Sequence, residues 1–222
     1  MVKKKESKSS LEKALDLIEI LKEKDEVGVT ELSKLLGLNK NNVFRLLATL
    51  QVEGIIQQEE ETGHYKLGKR VLYLEYAYLK GLRFLREAKP FLKELKNIFN
   101  ETVYISVLHS TDIVYIYAEE ANRSVLVHSR IGKRYLAETA APGKALLKAK
   151  KLKKADYIVE YDFESLEPEV SEISTVLWDD KTPKAAISIV APISRLNPSN
   201  ILEFKEKLLN IAGKVSSKLS GK

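Results

Sequence analysis

The chain contains no cysteine, which excludes disulfides, zinc–thiolate sites and a cysteine nucleophile. Its three histidines, His64, His109 and His128, lie far apart and form no metal-ligand spacing. No cofactor or metal is expected. No apolar run approaches the roughly 18 residues that a membrane span needs. The opening MVKKKESKSS leads into an amphipathic segment, not into the apolar stretch of a signal peptide. A cytoplasmic protein without membrane contact is therefore expected. A one-sided charge is also missing where it would matter most. The formal charge is +6 over 222 residues, but residues 1–70 carry 13 Lys and Arg against 12 Asp and Glu, a balance of +1. Any nucleic-acid partner must be argued from where charges point, not from their sum.

What is present is enough to fold. Hydrophobic residues make up 44%, sufficient for one large core or two smaller ones. Ser10 is placed to cap a helix whose apolar stripe is Leu11, Leu15, Ile18 and Leu21. Thr30 stands at the start of a second helix, where its hydroxyl can accept a bond from an orphan N–H. Leu32, Leu35 and Leu36 give that helix an apolar face, and Gly37 suits the left-handed residue that stops it. Asn39 then caps a third helix. Val43, Leu46, Leu47 and Leu50 form one stripe of it, at helical spacing. Asn41, Phe44, Arg45 and Ala48 share that spacing on another side, flanked by Lys40 and Asn42. No acidic residue lies between Lys40 and Gln51, so nothing on that face repels phosphate. Asn pairs with adenine edges, Arg with guanine, and both Lys and Arg with phosphates. Phe44 can meet a thymine methyl or simply cover the helix. Helix, Gly-containing turn and polar-tipped helix make a helix-turn-helix over about 30–49.

The segment GIIQQEEETGHYKLG then reads as strand, turn, strand over about 55–67, a wing. His64, Tyr65 and Lys66 can reach a groove or the backbone, Tyr65 better as an anchor of the wing. The acidic Glu59–Glu61 run belongs away from DNA. The plainer reading is a solvated helix face on a protein-docking module; the turn, the acid-free face and the wing together favour DNA.

SLEKALDLIEIL, TELSKLLGLNKNNVFRLLATLQVEGII and ETGHYKLGKRVLYLEYAYL resemble the N-terminal region of IclR-type transcriptional regulators, almost continuously from Ser10 to Leu79. Asn39 and Asn41–Asn42 stand where that family often has Pro and Ser or Thr, which implies a different operator and the same mode of binding. The resemblance implies a winged helix-turn-helix domain over 1–70, a linking helix over 71–88 that helps form dimers, and an α+β, GAF-like effector and oligomerisation domain over 89–222.

Beyond residue 70, Leu72, Tyr76 and Leu79 make one seam, and Gly81 and Pro90 are expected to divide the helical stretch. The period then changes to two. TVYISVLHSTDIVYIY reads as a hairpin around Ser110–Asp112, SVLVHSRIG as another strand, and DYIVEYDF and EISTVLWDDKTPKAAISIVAPI as three more. A helix starts at Pro142. A last helix carries Ile201, Phe204, Leu208, Ile211 and Val215. Strands with segregated helices give an α+β domain with an antiparallel sheet.

In the resembled family a small effector sits near Ala141–Leu147 and near the last strand, Ala185–Pro192. The resemblance places effector contacts at Ala141, Gly143, Glu160, Glu172, Ser188 and Val190. Helix N-terminal N–H groups suit a carboxylate there. The chain departs from the pattern, with Glu138 and Ala140 for His and Thr, Val190 for a serine, and Glu169 and Glu172 bracketing a Gly-x-x-Cys position. The two glutamates would repel an anion. Gly143–Lys144 is no phosphate loop, because Ala145 replaces the required Ser or Thr. Lys148–Lys154 reads as a solvated helix face. Ser110, His109 and Asp112 lack any nucleophile elbow.

The expectation is a dimeric or tetrameric regulator that binds a palindromic operator in double-stranded DNA, modulated by a small metabolite. The rivals are a ligand-independent DNA-binding or architectural protein and, ranked last, a metabolite-converting enzyme.

Overall fold

The computed structural model describes residues 8–152 and 155–221. Two compact units divide at Tyr78/Leu79.

The first unit opens with α1 (Ser10–Glu23). Its cap is Ser9, not the expected Ser10. Glu12 stands three residues after Ser9, so a reciprocal capping box closes: Glu12 N–H donates to Ser9 Oγ at 3.2 Å and Ser9 N–H to Glu12 Oε2 at 2.7 Å. The buried stripe also turns from the expected one. Leu17 and Leu21 are buried, while Leu11 and Leu15 are exposed. Next come α2 (Val29–Leu36) and α3 (Lys40–Val52). Thr30 lies inside α2; Gly28 holds the cap position and no side chain caps this helix. Gly37 ends α2 with φ +64, and Leu38 N–H closes on Ser33 C=O at 3.1 Å, the Schellman arrangement. Ser33 Oγ also donates to Leu38 C=O at 2.5 Å, which fixes the turn.

The wing is β1 (Ile56–Gln58) against β2 (Tyr65–Leu67), antiparallel. Val27 adds an isolated bridge to Tyr65. Leu17, Leu21, Val27, Leu32, Val43, Leu47, Ile56 and Tyr65 form one core. Each such side chain contributes roughly 1.5–3 kcal/mol by burial.

The helix α4 (Arg70–Gly81) carries no buried residue. Leu72, Tyr73, Leu74, Tyr76 and Tyr78 are all exposed on it. Then α5 (Arg83–Phe99) runs unbroken through Pro90, so the expected 71–88 linker is the whole of one helix and the start of another. The second unit begins at Leu79, before the expected 89, because Leu85, Ala88, Leu92 and Leu95 of α5 lie in its core. Burial of that face outweighs the hydrogen bond that Pro90 cannot donate.

The strands of the second unit are β3 (Thr102–His109), β4 (Asp112–Glu119), β5 (Arg134–Leu136), β6 (Val159–Phe163), β7 (Val170–Asp179) and β8 (Thr182–Pro192). They form one antiparallel sheet in the order β5-β4-β3-β8-β7-β6. SVLVHSRIG is not a strand. Val125 and Leu126 are exposed while Arg130 is buried, so burial does not alternate. Gly132, at φ +75, turns the chain into β5.

Residues of one sheet face, among them Val103, Ile105, Ile173, Leu177, Ile187 and Ile189, pack with α5 and with α7 (Ile201–Leu219). Tyr104, Tyr115, Val176, Trp178, Ala186 and Val190 form the opposite cluster with α6 (Ala141–Lys150). The period of two in β7 and β8 thus feeds two cores at once. Among the described residues no helix is long and apolar enough to cross a membrane.

Candidate nucleic-acid interface and effector site

The cap of α3 sets its polar tip. Asn39 Oδ1 accepts from Asn42 N–H at 2.9 Å, and the burial of Val43 and Leu47 turns the remaining face outward. Lys40, Asn41, Asn42, Phe44 and Arg45 are all exposed; half of Phe44's surface is accessible. Among the described residues neither Lys40 nor Arg45 enters an ion pair. The N-terminus of α3 is partly positive in its own right. A groove-sized face therefore combines two cations, two amides and one aromatic ring.

The wing residues separate. His64 is exposed, against Gly28. Tyr65 retains only 5% exposure and belongs to the core, so it anchors the wing and presents nothing to a partner. Lys66 pairs with Glu59 and lies 3.8 Å from Glu26. The hydrogen bond that Lys66 donates to Glu59 raises the Lys66 pKa. The acidic run is thus not simply held away: its first residue neutralises the cation expected to contact DNA. Thr30 is exposed near the start of α2.

On the α6 face the expected effector residues meet packing first. Ala141 is fully buried. Gly143 packs on backbone: a Cβ there would lie 2.3 Å from Ala137 O. Val190 is 1% exposed. Ser188 Oγ donates to Ser174 Oγ at 3.0 Å, and Ser174 Oγ to Ile187 C=O at 3.3 Å. Glu160 pairs outward with Lys148, whose basic run continues to Lys153 and Lys154, outside the described residues.

Glu172 stands in register with Val190 and Asp162 and is fully buried. Arg130, also fully buried, donates from Nη1 to Glu172 Oε2 at 2.8 Å. Tyr115 Oη lies 2.9 Å from both carboxylate oxygens. Arg130 is within 5.6 Å of the ring centres of both Tyr115 and Tyr135, and its Nε is 3.4 Å from Glu167. Tyr135 Oη donates to Glu167 at 2.6 Å. Burial raises Glu172 while Arg130 pulls it back. Burial opposes the charge on Arg130, but Glu172, Tyr115 and Glu167 together outweigh it and the guanidinium stays firmly protonated. Desolvation pushes the Tyr115 hydroxyl well above its ordinary range, so it serves as a donor.

Residues 10–60 match the model of the IclR helix-turn-helix domain, and residues 76–166 match that of the bacterial transcriptional regulator IclR C-terminal domain. The chain belongs to the IclR family. It is 33% identical over 139 residues to the HTH-type transcriptional regulator XynR of Escherichia coli, across 62% of this chain and 55% of that protein. The chain thus spans about half the length of the first curated relatives it matches. It is 25% identical to the transcriptional repressor IclR of E. coli, across 96% of this chain and 90% of that one. Its fold is that of an IclR homologue from Microbacterium hydrocarbonoxydans crystallised with 4-hydroxybenzoate, with a TM-score of 0.75, 16% identity and coverage of 96% and 100%.

In this IclR-family chain the residue missed from sequence is Arg130. It sits in SVLVHSRIG, which reads from sequence as a strand, and its partner lies 42 residues away. An arginine inside an otherwise largely apolar strand pattern was the available signal.

Proposed function

We propose that the chain is a sequence-specific DNA-binding transcriptional regulator that acts in the cytoplasm, and not an enzyme. The observation that carries this reading is the α3 face, where Lys40, Asn41, Asn42, Phe44 and Arg45 stand exposed and free of acid. Asn41 and Arg45 read base edges, Lys40 holds phosphate, and Phe44 and Asn42 complete the contact. Thr30 and His64 meet the flanking backbone; Lys66 contributes only on leaving Glu59. The exposed apolar side chains of α4 support self-association. A dimer would set two recognition helices about 34 Å apart on a palindromic operator.

Selection of bound fragments from randomised duplex DNA tests the reading. Enrichment of a palindrome is expected. Arg45→Ala should cost about 1–3 kcal/mol and relax preference at one base position. Lys40→Ala should weaken every site alike and lower the salt slope by about one. Unchanged affinity and preference in Arg45→Ala would overturn the docking.

For the C-terminal unit, a family member complexed with 4-hydroxybenzoate supports modulation by a small acid, with Ala141, Gly143, Glu160, Glu172, Ser188 and Val190 as the contacts. The Arg130–Glu172 pair favours the other reading, a unit that assembles and takes no soluble effector. A thermal-shift screen against metabolites separates them, since a ligand of the folded state raises its stability by mass action.

A further inference from the structure

We infer that Glu172 is a built-in ligand: its carboxylate fills, from within the chain, a buried site made for a small monocarboxylate anion, and removing it turns the unit into a receptor for one. The surroundings have the donors of an anion site. Arg130 is a fully buried guanidinium, and the Tyr115 hydroxyl lies 2.9 Å from both Glu172 oxygens.

The tether does not exhaust these donors. Arg130 meets Glu172 through Nη1 at 2.8 Å. Its Nη2 is buried without a partner among the described residues. A carboxylate free to rotate would meet both nitrogens in the parallel, two-bond geometry that a guanidinium offers. Such a pair adds little net stability compared with apolar residues of the same volume, so stability alone is a weak reason for its presence. A cleft of about 250 Å³ lined by Tyr104, Glu120, His128 and Ser129, among others, lies against the loop that carries Arg130. Arg130 N–H donates to the hydroxyl of that same Tyr104 at 3.3 Å.

The size of the ligand follows from the atoms removed. Glu172→Ala deletes Cγ and the carboxylate, which is acetate. Glu172→Gly deletes Cβ as well, which is propionate. The inference does not rest on the DNA-binding reading, because its readout is binding to the chain itself.

The test uses the full chain in buffers of matched ionic strength containing chloride, acetate, propionate or butyrate, followed by thermal shift and calorimetry. Wild type, with the site filled, should respond to none beyond chloride. Glu172→Ala should show a saturable rise in Tm with acetate, and Glu172→Gly should move the preference to propionate. Glu172→Gln, which keeps the shape and blocks the space, should respond to neither. Arg130→Met combined with Glu172→Ala should abolish the acetate response. If Glu172→Ala does not fold in chloride, its refolding yield from urea in acetate reads the same site. A folded Glu172→Ala indifferent to every acid, refolding no better in acetate, or equal responses in wild type or Glu172→Gln would overturn the inference.

Discussion

Removing Arg130 while leaving Glu172 should destabilise the C-terminal unit far more than removing both. In Arg130→Met the Glu172 carboxylate stays fully buried and keeps only hydroxyl donors such as Tyr115. Breaking a buried pair from one side typically costs about 3–5 kcal/mol, because the surviving charge is uncompensated. Glu172→Leu alone should cost a similar amount by stranding the guanidinium between Tyr115 and Tyr135. In the double variant both charges are gone. The remaining loss is the acceptor of the Tyr115 hydroxyl, about 1–3 kcal/mol for a buried polar group left unpaired. The coupling energy should therefore exceed about 3 kcal/mol. Tyr115→Phe added to the double variant should recover part of the residual loss. Urea denaturation followed by tryptophan emission reads this directly: Trp178 is the sole tryptophan, 5% exposed, in the same core cluster as Tyr115. The sign with pH is also set. Burial already raises the pKa of Glu172, and without Arg130 it rises further. A carboxyl raised in the folded state costs nothing below its unfolded pKa and destabilises as pH climbs through the folded one. The Arg130→Met deficit should shrink towards acid. A double variant whose loss equals the sum of the two singles would refute the reasoning, since zero coupling means the residues do not act as a pair.

Gly143→Ala places a Cβ 2.3 Å from Ala137 O; with backbone as the obstacle, destabilisation of about 1–3 kcal/mol or more is expected in the same assay. Glu12 is held below the usual carboxylate range by the backbone N–H and hydroxyl of Ser9. Its bond therefore contributes stability above the unfolded pKa that is lost as pH falls through the folded one. NMR titration should place Glu12 low in wild type and part of the way back towards the ordinary range in Ser9→Ala, which loses the hydroxyl and keeps the backbone N–H; an unshifted Glu12 in wild type would mean the capping box does not form in solution. On α4, Leu74 is 58% exposed, and Leu74→Glu should shift sedimentation towards monomer if that helix carries self-association.

The helix-turn-helix was legible because its determinants are local. A glycine after an apolar stripe, an asparagine before the next one and a face without acid act within one or two turns. The cap of α1 slipped by one residue for an equally local reason, since Ser9 and not Ser10 lies three residues before Glu12. The wing was legible as strand and turn, yet not in what it presents. Tyr65 already reads as the better anchor, and the fold buries it beside Val27; that Glu59 neutralises Lys66 is visible only in the structure. SVLVHSRIG reads as a strand because β-branched and aliphatic residues crowd it; among the described residues no strand pairs with it.

By itself, then, the sequence determined the order of elements, the recognition helix and the two-sided apolar strands, all of which follow from periods of 3.6 and 2. Only the tertiary structure decided what the α6 face holds. From sequence, Glu172 was a charge that would repel an anion. In the fold it is the anion, because the chain brings Arg130 across 42 residues to meet it. No local pattern encodes a contact of that kind, since a buried charge is tolerated only where its counter-charge arrives from elsewhere in the chain.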